Sequence, residues 1–150
     1  MTDSSPPFNE TIRQGIDQVT HRSFHEHIRF VKASGLSMPQ FNILMQLHYQ
    51  RACGVSDISA RMDITSAAAS QLVEKLVQAG LLERAEDPND RRVKQLRLTV
   101  NGRELVEAGL AARYRWVDEL IERLDPAERE ALAQAMSILL SRLTVSDPPR

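Results

Sequence analysis

Nine side chains between positions 66 and 92 carry the most chemistry in this sequence. Ser66, Ala67, Ser70, Gln71 and Lys75 share one face of a helical stretch, Arg84 follows, and Asp90-Arg91-Arg92 stand in a polar turn. Serine hydroxyls and a glutamine amide can bond base edges or phosphates, and a lysine neutralises a phosphate. Small residues such as Ala67 let a helix backbone approach a groove closely, and a helix N-terminus itself favours phosphate. A solvated helix surface is the plainer reading of the same residues. Two adjacent arginines at the tip of a ribbon can reach a narrow minor groove, where the negative potential is enhanced. Asp90 can hold one of the two guanidinium groups as a bidentate partner. The plainer reading here is a surface loop with compensating charges, because Glu83, Glu86, Asp87 and Asp90 stand close by in sequence. Residues 35–103 carry nine basic and seven acidic groups, against six and nine over 104–150, a weak polarity that would orient the chain on DNA.

Other reactive side chains fall into weaker patterns. His21 and His25 are four residues apart, so they share a helix face and can approach a metal ion together, with His27 nearby. No cysteine or glutamate stands at matching spacing, and His25-Glu26-His27-Ile28 departs from the His-Glu-x-x-His zinc pattern. Cys53 is the single cysteine, which rules out an internal disulfide and suits a small buried side chain better than a reactive thiolate. Tyr49, Tyr114 and Trp116 are pocket candidates, although Trp116 is in phase with the apolar stripe of its own segment. Asp87-Pro88-Asn89-Asp90 lacks the glycine and distant glutamate of a calcium loop. There is no phosphate-cradling glycine loop and no Gly-x-Ser-x-Gly elbow. An enzyme, a bound cofactor and a resident metal are therefore not expected.

The elements that must position these groups are marked by proline and by caps. Prolines at 6, 7, 39, 88, 126, 148 and 149 leave long proline-free stretches between them. Ser37-Met38-Pro39-Gln40 and Asp125-Pro126-Ala127-Glu128 read as capping boxes. Apolar residues then keep the helical period, as in Ile12/Ile16/Val19, Phe41/Leu44/Met45, Ala69/Leu72/Val73/Leu76 and Leu132/Met136/Leu139/Leu140/Leu143. These signals predict helices near 8–34, 38–50, 55–61, 66–79, 101–123 and 126–143. Between them, 81–87 and 92–98 read as strands of a hairpin, with Leu96 and Leu98 alternating with Gln95 and Arg97. Residues 55–79 then describe a helix-turn-helix, broken at Met62-Asp63-Ile64-Thr65. Val55, Ile58 and Met62 face inward from its first helix; Leu72, Val73 and Leu76 do so from its second. The fold class is mainly α with a small β-hairpin wing.

Length and composition set the outer limits. The 150 residues, 42% apolar and 26% charged with a net charge of −1, fit one domain and exclude a disordered polyelectrolyte or a histone-like basic protein. The start lacks a basic n-region and an apolar h-region, and no apolar run approaches a membrane span. A cytoplasmic protein with no membrane partner is the expectation. The apolar stripe of 132–143 has no later element to bury it, so a second copy of the chain is its expected partner.

Three spaced motifs carry a resemblance. Leu76-Val77-Gln78-Ala79-Gly80-Leu81-Leu82-Glu83-Arg84, Asp87-Pro88-Asn89-Asp90-Arg91-Arg92 and Leu98-Thr99-Val100-Asn101-Gly102 resemble the hallmark of MarR-type winged-helix transcription regulators. The likeness covers about residues 10–143, in helix order as well as in motif. It implies a single MarR-like domain over 1–150, with 8–34 and 101–143 as dimerisation helices, 38–100 as the winged helix-turn-helix, and 1–7 and 144–150 as disordered ends. It implies an obligate homodimer on double-stranded DNA, with Ser66–Lys75 in the major groove, and Arg92 in the minor groove steered by Asp90. The helix bearing the histidines would border an effector cavity, and a repressor released by a small molecule is the expected behaviour. One departure is the run Ala67-Ala68-Ala69, which leaves the start of the recognition helix poor in polar readers and shifts weight to DNA shape. The alternatives are a winged-helix protein-interaction module that never touches DNA, and a metal or redox sensor using His21/His25 or Cys53.

Overall fold

The computed structural model describes residues 7–50, 53–86 and 94–143. Within them the elements are α1 (Phe8–Ala33), α2 (Met38–Gln50), α3 (Val55–Met62), α4 (Ser66–Gln78), β1 (Leu82–Glu86), β2 (Lys94–Leu98), α5 (Val100–Arg123) and α6 (Pro126–Leu143). This is a mainly α fold with one small hairpin, in the order the periodicity predicts. The ends expected to be disordered, apart from an exposed Pro7, and the turn residues Asp87, Asp90, Arg91 and Arg92 lie outside the described residues. The chain divides between Arg113 and Tyr114 into two compact units. The first holds α1 to α4, the hairpin and the start of α5; the second holds the rest of α5, and α6.

Local chemistry sets the boundaries. At α2 the Ser37 amide donates to Gln40 Oε1 (2.9 Å) and the Gln40 amide donates to Ser37 Oγ (3.4 Å), a reciprocal capping box. Asp125 and Glu128 do the same at α6, both bonds at 2.9 Å. The break inside the helix-turn-helix has two causes. Asp63 takes a left-handed conformation (φ 52°) that ends α3, and the Thr65 hydroxyl accepts the Ala68 amide at 3.2 Å to start α4.

The hairpin is antiparallel, with Leu82 opposite Leu98, Arg84 opposite Leu96 and Glu86 opposite Lys94. Leu82, Leu96 and Leu98 turn inward while Arg97 is exposed, so the alternation in the sequence marks the buried face. A two-stranded ribbon is marginal alone. Here the Leu96 amide donates to the Cys53 carbonyl at 2.9 Å, which ties the wing to the segment before α3. Ile43, Leu44, Leu47, Ile58, Ala69, Val73, Leu76, Leu82, Leu96 and Val106 form the core beneath it. Val55 and Met62 pack on its margin, and Leu72 does so from α4.

The Leu-Thr-x-x-Gly motif is a clamp at the base of the wing. α4 ends at Gly80 (φ 69°), where the Gly80 amide donates to the Val77 carbonyl and the Leu81 amide to the Leu76 carbonyl. The Thr99 hydroxyl donates to the Gly80 carbonyl (2.7 Å) and accepts the Gly102 amide (3.0 Å), while the Thr99 amide donates to the Leu81 carbonyl. A Cβ on Gly102 would overlap the Leu81 carbonyl oxygen and crowd Leu98. Gly102→Ala is therefore expected to destabilise the protein by about 1–3 kcal/mol, as overpacking does, despite the better helix propensity of alanine. Denaturant titration with unchanged stability would show that the α4–β1 turn moves aside freely.

Candidate nucleic-acid interface

α4 buries Ala69, Val73 and Leu76 and leaves Leu72 and Val77 half-buried. Ser66 at the helix start, and Ala67, Ser70, Gln71 and Lys75 turned away from that seam, are all exposed. The cause is the helical period. With 3.6 residues per turn, positions 69, 73 and 76 line one side, and 67, 71 and 75 fall close to the other. The first turn of α4 holds no acidic residue, so nothing there opposes an incoming phosphate at the helix N-terminus. The helix is held at both ends, by the Thr65 cap and by the Gly80 turn, and its inner face is fixed in the core. Its outer side chains thus project from a rigid support.

The sequence reading of this face omitted Glu74. It stands one turn beyond Ser70 and Gln71, on the exposed side of α4, and its carboxylate meets the Arg84 guanidinium of β1 at 2.9 Å. Arg84, expected among the DNA contacts, thus has a protein partner within reach. A 3.6-residue wheel could have placed Glu74 on the outer face; its pairing with a strand ten residues on needed the fold. Asp90, Arg91 and Arg92 lie outside the described residues.

The remaining candidates sort by environment. Cys53 is buried, and burial together with the Asp57 carboxylate pushes its thiol pKa up, against a smaller opposing pull from Arg61. A neutral thiol of this kind is a poor nucleophile, which argues against redox sensing. The His21 and His25 rings lie 5.9 Å apart on exposed positions of α1. Among the described residues no group of three or more His, Cys, Asp or Glu side chains could hold a metal ion, which argues against metal sensing. His27 differs from its neighbours: it packs edge-on against Phe41 at 5.2 Å, and burial, then the positive charge of Arg113, lower its pKa. Trp116 is buried, as its place in the stripe predicts, and Tyr114 is exposed. Tyr49 lines an open cleft of about 460 Å³ between α2 and α3, together with Met45, Gln46, Arg61 and Met62. The Gln46 Oε1 atom is buried without a hydrogen-bond partner among the described residues.

The comparisons with known proteins agree with this geometry. The MarR family model matches residues 36–94, which span α2 to the start of β2. The transcriptional repressor MprA of Escherichia coli K12 is 30% identical over 117 residues, 77% of this chain and 66% of MprA. The match thus spans slightly less than two thirds of that relative's own length. The solved regulator Tm0710 of Thermotoga maritima is similar in fold, with a TM-score of 0.77 at 22% identity over 95% of this chain and 99% of that one. A chain of S. aureus MepR, solved as a complex with DNA, gives a TM-score of 0.64 at 25% identity over 85% of this chain and 96% of its own. The chain belongs to the MarR family of winged helix-turn-helix transcriptional regulators. No helix among the described residues is long and apolar enough to cross a membrane.

Proposed function

We propose that this chain is a sequence-specific DNA-binding regulator. It acts as a homodimer on a pseudo-palindromic operator, as a repressor whose affinity falls when a small molecule binds. One observation carries the reading: α4 is anchored in the core on one side and presents only small and hydrogen-bonding side chains, with one cation, over its first ten residues on the other, Glu74 being paired. A protein-interaction helix would more commonly present an apolar face there, since such grooves take apolar anchors. Similarity to MprA, described as a repressor, supports the sign of regulation. The α2–α3 cleft supports a small-molecule response, because it is adjacent to the helix-turn-helix and mixes amide, thioether, aromatic and cationic groups.

The roles on α4 differ in kind, and substitution separates them. Gln71 can bond N6 and N7 of adenine together, a contact worth about 1–3 kcal/mol of base discrimination. Lys75 has no planar fork and acts as a phosphate contact. Two subunits related by a two-fold axis place their helices about one DNA turn apart, so the half-sites are roughly ten base pairs apart. Gln71→Ala is expected to relax preference at one symmetric position in each half-site. Lys75→Ala is expected to weaken all sequences alike and to lower the salt slope by about 0.9 per subunit. The measurement is binding-site selection from random duplexes, followed by titration across a salt series. A Gln71→Ala selection matching the parent at every position would remove Gln71 as a reader. A parent chain that selects no sequence would favour the protein-interaction module.

A further inference from the structure

Glu74 is an anomaly on a face meant for DNA. It lies three residues after Gln71 and four after Ser70, so it shares their side of α4, and a bare carboxylate there would repel the phosphate backbone. Arg84 meets it at 2.9 Å across from β1, with the two side chains 46% and 50% exposed. Ion pairs this exposed add little to stability. The pair therefore matters for what it does at the interface: it joins the recognition helix to the wing strand and cancels both charges where DNA would lie. The backbone beneath it is fixed as well, since Arg84 is opposite Leu96 in the ladder and Leu96 is bonded to Cys53.

We propose that Glu74 is a positioning residue for DNA binding. Its carboxylate holds the Arg84 guanidinium along α4, so that Arg84 braces the wing against the recognition helix and is withheld from the phosphates. This rests on the DNA-binding reading above and adds to it a limit on non-specific affinity. An arginine released from Glu74 would gain a phosphate contact that carries no sequence information. Specificity would fall as total affinity rose.

A double-mutant cycle tests this, with affinities measured for the selected operator and for a random duplex over a salt series. Glu74→Gln keeps the size of the side chain and frees Arg84. It is expected to tighten random-duplex binding by about three- to tenfold and to steepen the salt slope by about 0.9 per subunit. Arg84→Gln leaves the carboxylate unopposed and is expected to weaken both duplexes by about tenfold. The double variant, with neither charge, is expected to return to within about threefold of the parent. In the Arg84→Gln background Glu74→Gln has no arginine to release, so a salt slope that it steepens there as much as in the parent, or an operator-to-random affinity ratio that it lowers there as much, overturns the proposal. So does a shallower salt slope in Arg84→Gln with Glu74→Gln silent, which would make Arg84 a direct phosphate contact. Thermal melts of each variant identify any that fails through folding, and a melted Arg84→Gln leaves the decision to the Glu74→Gln slope alone. A parent chain that binds neither duplex overturns the DNA-binding reading itself and this proposal with it, an outcome distinct from binding without coupling.

Discussion

A chain carrying Met136→Glu and Leu139→Glu is expected to sediment as a monomer at micromolar concentration, where the parent sediments as a dimer. α6 buries none of its residues within the chain. Leu132, Met136, Leu139 and Leu143 are each between 38% and 58% exposed, on positions that repeat with the helical period. On α1, Ile12, Ile16 and Val19 are 44–51% exposed in the same fashion. Fully burying one such side chain is worth about 1.5–3 kcal/mol, so a helix that leaves this many half in water calls for a cover. A second copy is the economical one, because a two-fold axis lets one face complement itself. The same symmetry places each new carboxylate in the interface twice, without a partner charge. Glutamate is a good helix former and α6 buries none of its residues within the chain, so the far-UV spectrum should keep its helical signature, while the melting temperature should fall because the stability contributed by association is lost. Operator affinity should fall by about a hundredfold or more, because two linked half-sites gain about 10²–10⁴ over separate ones. Sedimentation of the variant as an unaltered dimer would exclude α6 from the interface. A monomeric parent chain would exclude the homodimer altogether.

Much of the fold was legible because its boundaries are set locally. Ser37 with Gln40, and Asp125 with Glu128, cap their helices by bonds spanning three residues, and the same spacing shows in the sequence. The wing was legible from the alternation of Leu96 and Leu98 with Gln95 and Arg97. The first strand begins at Leu82 and not at 81, because Leu81 is taken up by the turn that ends α4, while 87, 92 and 93 lie outside the described residues. What the sequence hid depends on contacts between distant residues. The Cys53 carbonyl holds Leu96 from 43 residues away, and nothing about an Ala-Cys-Gly run announces it. His27 looks like its neighbours His21 and His25 until the fold sets Phe41 beside it. The Glu74–Arg84 pair needs both the helical wheel and the hairpin register before the two charges meet. Periodicity has its own blind spot. Ile12, Ile16 and Val19 repeat as a core helix would, yet they are exposed within one chain, because a stripe that covers a core and a stripe that awaits a partner have the same spacing.

Arg92→Ala is expected to lower operator affinity by about a hundredfold or more at moderate salt while leaving the fold intact, because each of two subunits loses one charge-assisted hydrogen bond of about 1.5–3 kcal/mol. Arg92 lies two residues before Lys94, the first residue of β2, in a sequence where Asp90 precedes two arginines. A wing arginine can enter the minor groove, where a narrow A-tract strengthens the negative potential, and it reads width and not base identity. This role suits a recognition helix that begins Ser-Ala-Ala-Ala, with few polar readers to place on base edges. The loss should therefore be greatest on operators with A·T-rich flanks and small on flanks of G·C. A substitution that touches no packed core seldom changes stability by more than about 0.5 kcal/mol, so an unchanged melting temperature is the control for folding. Arg92→Lys refines the assignment. A lysine keeps the charge but loses the planar, weakly hydrated guanidinium, so it should restore the salt slope without restoring the flank preference. Full rescue by lysine would reduce Arg92 to a phosphate contact. Unchanged affinity together with an unchanged salt slope in Arg92→Ala would mean that the hairpin does not meet DNA at all, and binding would then rest on α4 alone.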